Sequence, residues 1–420
     1  MTEGTYPFHW GGVSTWCHAL THGLPEVDFT LFALARDPLV ERRFELAPNV
    51  VDFRTIPLWG VRNAWELGPD RSLATVRRRV RSSGDAALAV GFIPPFTTVV
   101  GELLGTSRDD TELARAIHAI YLFFLEHDFD ATFRSRAVWD SYWAQVARIF
   151  PPAAEGRGYP ATQASLADLT AGLGWLYHWF FPLSQPLPQV DVVHTAMVGS
   201  CTLLAAAIKL EHGTPFLLSE HGIYLRERYL AEHSSSASLF RKLLLLGFAR
   251  RMTELGYSLA DVVSPCCNYN RRWELRNGAR AELLETAYYG LEPRPLTTEA
   301  KLAASGPIVI WAGRIDPLKD LETLLRAAAL VLDARPDVRF RLFGSAQPGR
   351  EWYSRRCLRL HRELALGDAV SFEGFRADTA AVIAEADLVV LSSISEGFPF
   401  TTLEAMRCGK PVVATAVGGV

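Results

Sequence analysis

The segment Glu396-Gly-Phe-Pro-Phe-Thr-Thr-Leu-Glu404 sets two carboxylates in an E-x7-E spacing, directly behind the apolar run 387–393 (DLVVLSS). Gly397 lets a ligand approach the backbone, and Pro399 favours a tight turn into a helix expected to begin near Thr401. Unpaired amides of a first helical turn, with the positive end of the helix dipole behind them, suit a diphosphate. Carboxylates would repel phosphate, so they fit hydroxyls instead. Glu404 is placed to accept a ribose diol, and Glu396 to hold the hydroxyls of a sugar. The same residues also read as a plain loop with a capping threonine and two solvated glutamates.

A second group, Gly313-Arg314-Ile-Asp-Pro-Leu-Lys319, follows the apolar run 307–312 (PIVIWA). Arginine offers a planar fork and lysine a point charge, both suited to diphosphate oxygens. Solvated cations at a helix start are the alternative. Both groups follow strands of one expected sheet, where an open parallel sheet binds its ligands. Neither G-x-x-x-x-G-K-[ST] nor G-x-G-x-x-G occurs. A third group lies far upstream. Gly11-Gly12-Val-Ser14 opens a helix, and His221-Gly222 follows the run 215–220 (PFLLSE). His221 is read either as a contact to a reacting sugar or as a structural hydrogen-bonder, and the charges at 226–228 as a solvated face.

The elements that must carry these groups are clearest in the last third. Strands are expected at 307–312, 338–344, 369–374, 387–393 and 411–417, with four helices between them. That alternation predicts a doubly wound α/β domain over 306–420 with a parallel sheet. Residues 1–295 form a second α/β pattern, with strands at 28–34, 49–56, 191–196 and 215–220 and a helical insertion at about 65–185. The stretch 296–305 reads as a linker. Only ten residues precede the Gly11-Gly12 turn and the chain stops just beyond a strand, so both ends read as clipped. Aromatic density at 175–181 is read as the core of the insertion, and the adjacent Cys266-Cys267, poorly placed for a metal, as packed or incidental.

Composition narrows the function. The chain has 420 residues, is 49% hydrophobic and carries a formal net charge of −3. A disordered chain is excluded, and nothing electrostatic favours nucleic acid. Six cysteines without a C-x-x-C pair give neither a disulfide scaffold nor a zinc site, which places the chain in a reducing, cytoplasmic compartment. The apolar run 86–104 has Pro94-Pro95 at its middle and reads as buried helix and turn rather than as a membrane span.

These motifs resemble those of the retaining family 4 GT-B glycosyltransferases, and within them the PelF type of exopolysaccharide enzymes. The broader likeness rests on GRIDPLKD, VSFEGF, ADLVVLSSISEGFPFTTLEAM and GKPVVATAVGG. The narrower one rests on TEGTYPFHWGGVSTW, PNVVDFRTIPLWG, SEHGIYLRER and RRW. The resemblance implies two Rossmann-like domains facing a cleft. It assigns Arg314 and Lys319 to the donor diphosphate, Glu404 to the ribose, and Glu396 with Gly397, Phe398, Phe400 and Thr401 to the transferred sugar and phosphate. Phe375 and Arg376 would touch the base. His221, Gly11 and Gly12 would line the opposite wall, with Glu396 and His221 nearest the chemistry. It further implies a metal-independent transfer with no cofactor, from a nucleotide-sugar (a uridine-linked one) to a glycan acceptor. Membrane-bound synthase subunits are the expected partners, at the inner face of the membrane. A non-catalytic or truncated sugar-nucleotide-binding subunit is the competing reading. Where relatives carry Pro-Asn-Gly before the linker, this chain has Tyr288-Tyr289-Gly290.

Overall fold

Short runs rich in valine, isoleucine, leucine and phenylalanine become parallel strands along the chain, most of them preceded by a helix that covers a sheet face. The computed structural model describes residues 1–61, 66–67, 72–150, 164–233, 235–292, 306–346 and 349–420. They fall into two units. One comprises Met1–Pro265 and Arg271–Thr286, the other Cys266–Asn270 and Ala287–Val420. The expected linker lies outside the described residues. Cys266–Asn270 and 287–292, expected in the first domain, group instead with the second unit, because they pack on one of its loops.

In the first unit the strands are β1 (Thr2–Glu3), β2 (Phe29–Ala35), β3 (Val50–Pro57), β4 (Val193–Thr195), β5 (Phe216–Glu220) and β6 (Val262–Pro265). They form two parallel three-stranded sheets, ordered β1-β2-β3 and β4-β5-β6. Met1 joins them: its amino group donates to His194 O at 2.6 Å, and its carbonyl accepts from Ala196 N at 3.0 Å. Across this join the order reads 3-2-1-4-5-6, that of a dinucleotide-type α/β fold. Thr2–Glu3 pairs with Ala33 and Leu34, a strand where the sequence reading places none. Two polar residues carry no periodicity that a sequence reading could detect. The four-residue β6, closed by Pro265, escaped for a similar reason.

The insertion is helical as expected, with helices Leu73–Ser82, Ile93–Leu104, Asp110–Glu126, Arg136–Ile149 and Leu166–Phe180. Phe92, Phe96, Phe124, Phe180 and Phe181 are buried at its centre; of the aromatic stretch, Phe180 and Phe181 are core, while Trp175, Tyr177 and Trp179 pack half-buried against it. The run 86–104 contains no turn. Pro94 and Pro95 occupy the first turn of helix Ile93–Leu104, where no amide is needed, and a π-helical turn over Leu88–Phe92 leads into it. By length and composition Asp85–Leu104 could cross a membrane, yet Leu88, Phe96, Val100 and Leu103 point into the protein core.

The second unit holds β7 (Ile308–Ala312), β8 (Arg339–Phe343), β9 (Val370–Gly374), β10 (Leu388–Leu391) and β11 (Val412–Ala414). The order is β11-β10-β7-β8-β9, all parallel. Alternation along β7 divides the core between the two faces. Val309 and Trp311 pack with helices Leu321–Ala334 and Glu351–Glu363, whereas Ile310 and Ala312 pack with Thr379–Ala384 and Phe400–Arg407. This is the doubly wound domain that the sequence predicts.

One crossing in the first unit depends on the absence of a side chain. Helix Leu239–Leu259 meets helix Ile93–Leu104 at Gly247, where a Cβ would lie 1.9 Å from the carbonyl oxygen of Leu103. A backbone oxygen cannot yield as a flexible side chain can. Gly247→Ala should therefore lower stability by about 1–3 kcal/mol, read as an earlier midpoint in chemical denaturation. An unchanged midpoint would show that this crossing is looser than described.

Candidate functional site

In the second unit the strand order reverses between β7 and β10, so the loops at their carboxyl ends flank a crevice suited to a ligand. Loop 313–320 leaves β7, and Gly313 N and Ile315 N are fixed on Phe343 O and Ser345 O, each at 3.0 Å. Gly344 must lack a side chain for this approach, because its Cβ would lie 1.8 Å from Gly313 O. Asp316 is buried and caps the short turn Pro317–Lys319 by accepting from Leu318 N at 3.0 Å. Arg314 is thereby presented to solvent, with no hydrogen bond or ion pair to the described residues.

Loop 392–399 leaves β10 and is tied to the first loop. Ile394 N donates to Leu318 O and Ser392 Oγ to Lys319 O, both at 2.9 Å. Lys319 Nζ lies 2.6 Å from Glu396 Oε1, whose side chain is 8% exposed, and Ser393 Oγ donates to the same oxygen. Lys319 and Glu396, given to separate ligand groups by the sequence, therefore form one partly buried ion pair. Arg314 is left as the loop's uncompensated cation.

Helix Phe400–Arg407 starts one residue before the expected Thr401. Pro399 offers no side-chain cap, so the first-turn amides face the crevice without one, as an anion site requires. Thr401 is not a cap; its hydroxyl donates to Ala312 O at 3.3 Å, holding the helix to the end of β7. Glu404 lies one turn in. Burial raises its carboxyl above the ordinary range, partly offset by the Thr379 hydroxyl at 3.3 Å and by Arg407. Phe375 and Arg376 sit in the exposed turn after β9, at the far edge of this sheet.

Several supports of the loop escaped the sequence reading. Tyr289 stacks on Phe400, with ring centres 4.7 Å apart and planes 16° apart, and touches Phe398 at 5.7 Å. Tyr288 meets Phe398 edge-on at 5.3 Å. Cys267 is not incidental, because its thiol donates to Gly397 O at 3.5 Å. The hydrogen bond with Cys266 draws that thiol down to about 7 against the burial that opposes it. Gly419 N donates to Gly397 O at 2.7 Å, and Gly418, at φ +63°, has no room for a Cβ beside Glu396 O. The Tyr-Tyr-Gly departure at 288–290 was the one visible signal for these supports.

In the first unit, helix Gly12–Gly23 begins at the exposed Gly11-Gly12 pair without a side-chain cap. Trp16 on this helix packs on His221, with ring centres 4.3 Å apart, so turn and histidine share one neighbourhood. Burial pushes the His221 imidazole down to about 3, which makes it a neutral hydrogen-bonding group at pH 7. Beside it, Glu220 accepts from Tyr224 N at 3.0 Å and from the Tyr257 hydroxyl, and burial holds its carboxyl up at about 7. Among the described residues, no group of three or more His, Cys, Asp or Glu could hold a metal ion.

Residues 1–282 match the family model described as a domain of unknown function, DUF3492, and residues 306–420 match "Glycosyl transferases group 1". The D-inositol 3-phosphate glycosyltransferase of Rhodococcus erythropolis is 34% identical over 270 residues, 63% of this chain and 54% of that protein. Its counterpart in Mycolicibacterium smegmatis is 41% identical over 115 residues, 27% of this chain and 26% of that protein. The chain thus spans about half or less of the curated relatives it matches. Among solved structures, sucrose-phosphate synthase from Thermosynechococcus elongatus is similar over 100% of this chain and 82% of its own, with a TM-score of 0.55 at 18% identity. Anabaena HepE, solved in complex with UDP and glucose, covers 55% of this chain and 60% of its own at 28% identity and a TM-score of 0.46. The likeness to the synthase shows the fold, which is GT-B.

Two outcomes follow from the geometry. Glu220 has a folded pKa of about 7 against an ordinary 4.5, so its contribution to stability is complete below about 4.5 and is lost as pH rises through 7. Denaturation midpoints should carry this decline, and Glu220→Gln should flatten it; an unaltered slope would refute the assignment. Tyr289→Ala should lower the melting temperature modestly and loosen the 396–400 loop, with faster amide exchange there. Exchange unchanged in the alanine variant would remove Tyr289 as a support.

Proposed function

This chain belongs to the DUF3492 family, and on that premise we propose that it is a retaining, nucleotide-sugar-dependent glycosyltransferase of family 4, PelF type. The observation that carries the reading is the pair of loops at the switch point of the second unit. They join an uncompensated Arg314, the Lys319–Glu396 ion pair and an uncapped helix start on one sheet edge. The 34% identical glycosyltransferase relative supports the transfer chemistry.

In this reading Arg314 and the amides of Phe400 and Thr401 bind the donor diphosphate, which is a leaving group rather than a resident cofactor. Lys319 shares its charge between Glu396 and the phosphate. Positive charge fixed in advance stabilises the negative charge that develops as the bond between the anomeric carbon and phosphate oxygen breaks. The acceptor hydroxyl oxygen bonds to the same carbon on the same face, and its proton passes to the departing phosphate. Glu404 accepts the ribose diol; Phe375 and Arg376 meet a uracil base. Glu396, oriented by Lys319 and Ser393, holds the sugar hydroxyls. His221, neutral at pH 7, offers the first unit a hydrogen-bonding group for a sugar hydroxyl, and the Gly11-Gly12 turn lets a ligand approach the backbone there. The acceptor is a growing exopolysaccharide, supplied at the cytoplasmic face of a membrane with synthase subunits as partners. No metal is required.

Calorimetry and turnover separate these roles. Arg314→Ala should weaken uridine diphosphate about ten- to a hundredfold, the worth of one charge-assisted hydrogen bond of about 1.5–3 kcal/mol. Glu404→Gln should weaken the bare diphosphate and the sugar nucleotide equally, without loss of thermal stability, because it removes a carboxylate that burial disfavours. Glu396→Gln should spare the diphosphate and lower kcat. Undiminished diphosphate binding in Arg314→Ala would overturn the donor site, and undiminished turnover in Glu396→Gln would overturn its place at the reacting sugar.

A further inference from the structure

Two arginine-bearing segments of the first unit, 226–228 and 271–276, are left unused by the proposed reaction, and the structure brings them together. Trp273 has three guanidinium groups near its ring, those of Arg226, Arg272 and Arg276, at 5.5–5.7 Å. Arg276 also lines a cavity of about 520 Å³ whose other walls come from helices Tyr224–His233 and Leu239–Leu259 and from the turn before helix Asp110–Glu126. Four arginines, at 108, 250, 251 and 276, face it with two carboxylates, Asp110 and Glu254; Arg108 and Arg251 both pair with Glu254, which leaves Arg250 and Arg276 as its unmatched cations. That excess of cations is notable in a chain whose net charge is −3.

The cavity is built rather than incidental. Arg251 has a side chain 4% exposed and is held by Glu102 at 2.7 Å, by Asp110 at 2.8 Å and by Glu254. Its Nε is buried, with no acceptor among the described residues, so Arg251 is a fixed part of the wall rather than a group left to the solvent. Arg250 is fixed by donating to the Tyr229 hydroxyl at 2.6 Å, and the exposed Arg276 meets no acceptor among the described residues. Guanidinium forks bind phosphate and carboxylate groups in two-point fashion. The remaining lone pairs of Asp110 and Glu254 suit hydroxyls, and Tyr229 with Leu225 offers an apolar wall for a ring.

We propose that this cavity binds a sugar bearing an oxyanion, at a site separate from the donor loops of the second unit. The shared chemistry is an anionic group on Arg250 and Arg276 with hydroxyls on the carboxylates. A phosphate monoester and a uronate both supply it.

The test titrates the full chain by calorimetry with glucose 1-phosphate, glucuronate and neutral glucose. At least one anion should bind, and glucose far more weakly. Binding should fall tenfold or more in the double variant Arg250→Ala/Arg276→Ala and persist in Arg314→Ala. Both substituted groups lie at the cavity surface, and an unchanged melting temperature confirms that the fold is intact. Absence of binding by both anions, equal binding of glucose, or loss that follows Arg314→Ala instead would overturn the proposal. The last result would assign the anion to the donor loops and leave the proposed transferase standing, so the two readings fail separately.

Discussion

The reversal of strand order beside β7 is the constraint on which the candidate site rests. In a parallel sheet every strand ends on the same edge, and each crossover helix must start there. Where successive crossovers leave in opposite directions, the two neighbouring loops cannot fill the space between them. Loops 313–320 and 392–399 occupy that position, and their chemistry is confined to it by the sheet rather than by their own sequence.

Within this frame the Lys319–Glu396 pair fixes one loop to the other. The Glu396 side chain is nearly buried, so removing Lys319 would leave that carboxylate without its cation, whereas Lys319 itself still reaches solvent. Position and charge are therefore coupled, and a substitution at Lys319 disturbs Glu396 as much as any ligand. Substitutions at these two residues are not additive, which is why Arg314 reports more cleanly on anion binding.

The loop is also braced from outside. The tyrosines at 288 and 289, the Cys267 thiol and the Gly418-Gly419 turn each press on residues 396–400 from separate parts of the second unit. A ligand loop gains from such support, because binding then costs less ordering of side chains and backbone. The first unit follows a different economy. Its buried aromatic bundle and the Arg251 cluster hold long helices together, while His221 and Glu220 remain in protonation states set by burial.

Much of this was legible in the sequence. Every strand of the second unit was expected within one or two residues of its observed ends, except that β11 stops three residues short of the expected 417, since a fully buried parallel strand is a short apolar run bounded by turns. The E-x7-E spacing, the Arg314 turn and the helical insertion were equally plain, because periodicity and residue type suffice for them. Sequence could not supply β1, whose two polar residues are a strand only through pairing with Ala33 and Leu34. Nor could it supply the ion pair between Lys319 and Glu396, the stacking of Tyr289 on Phe400, or the gathering of arginines 108, 250, 251 and 276 around one cavity. Those partners are distant in the chain, and only the crossovers of the folded sheets bring them within contact distance.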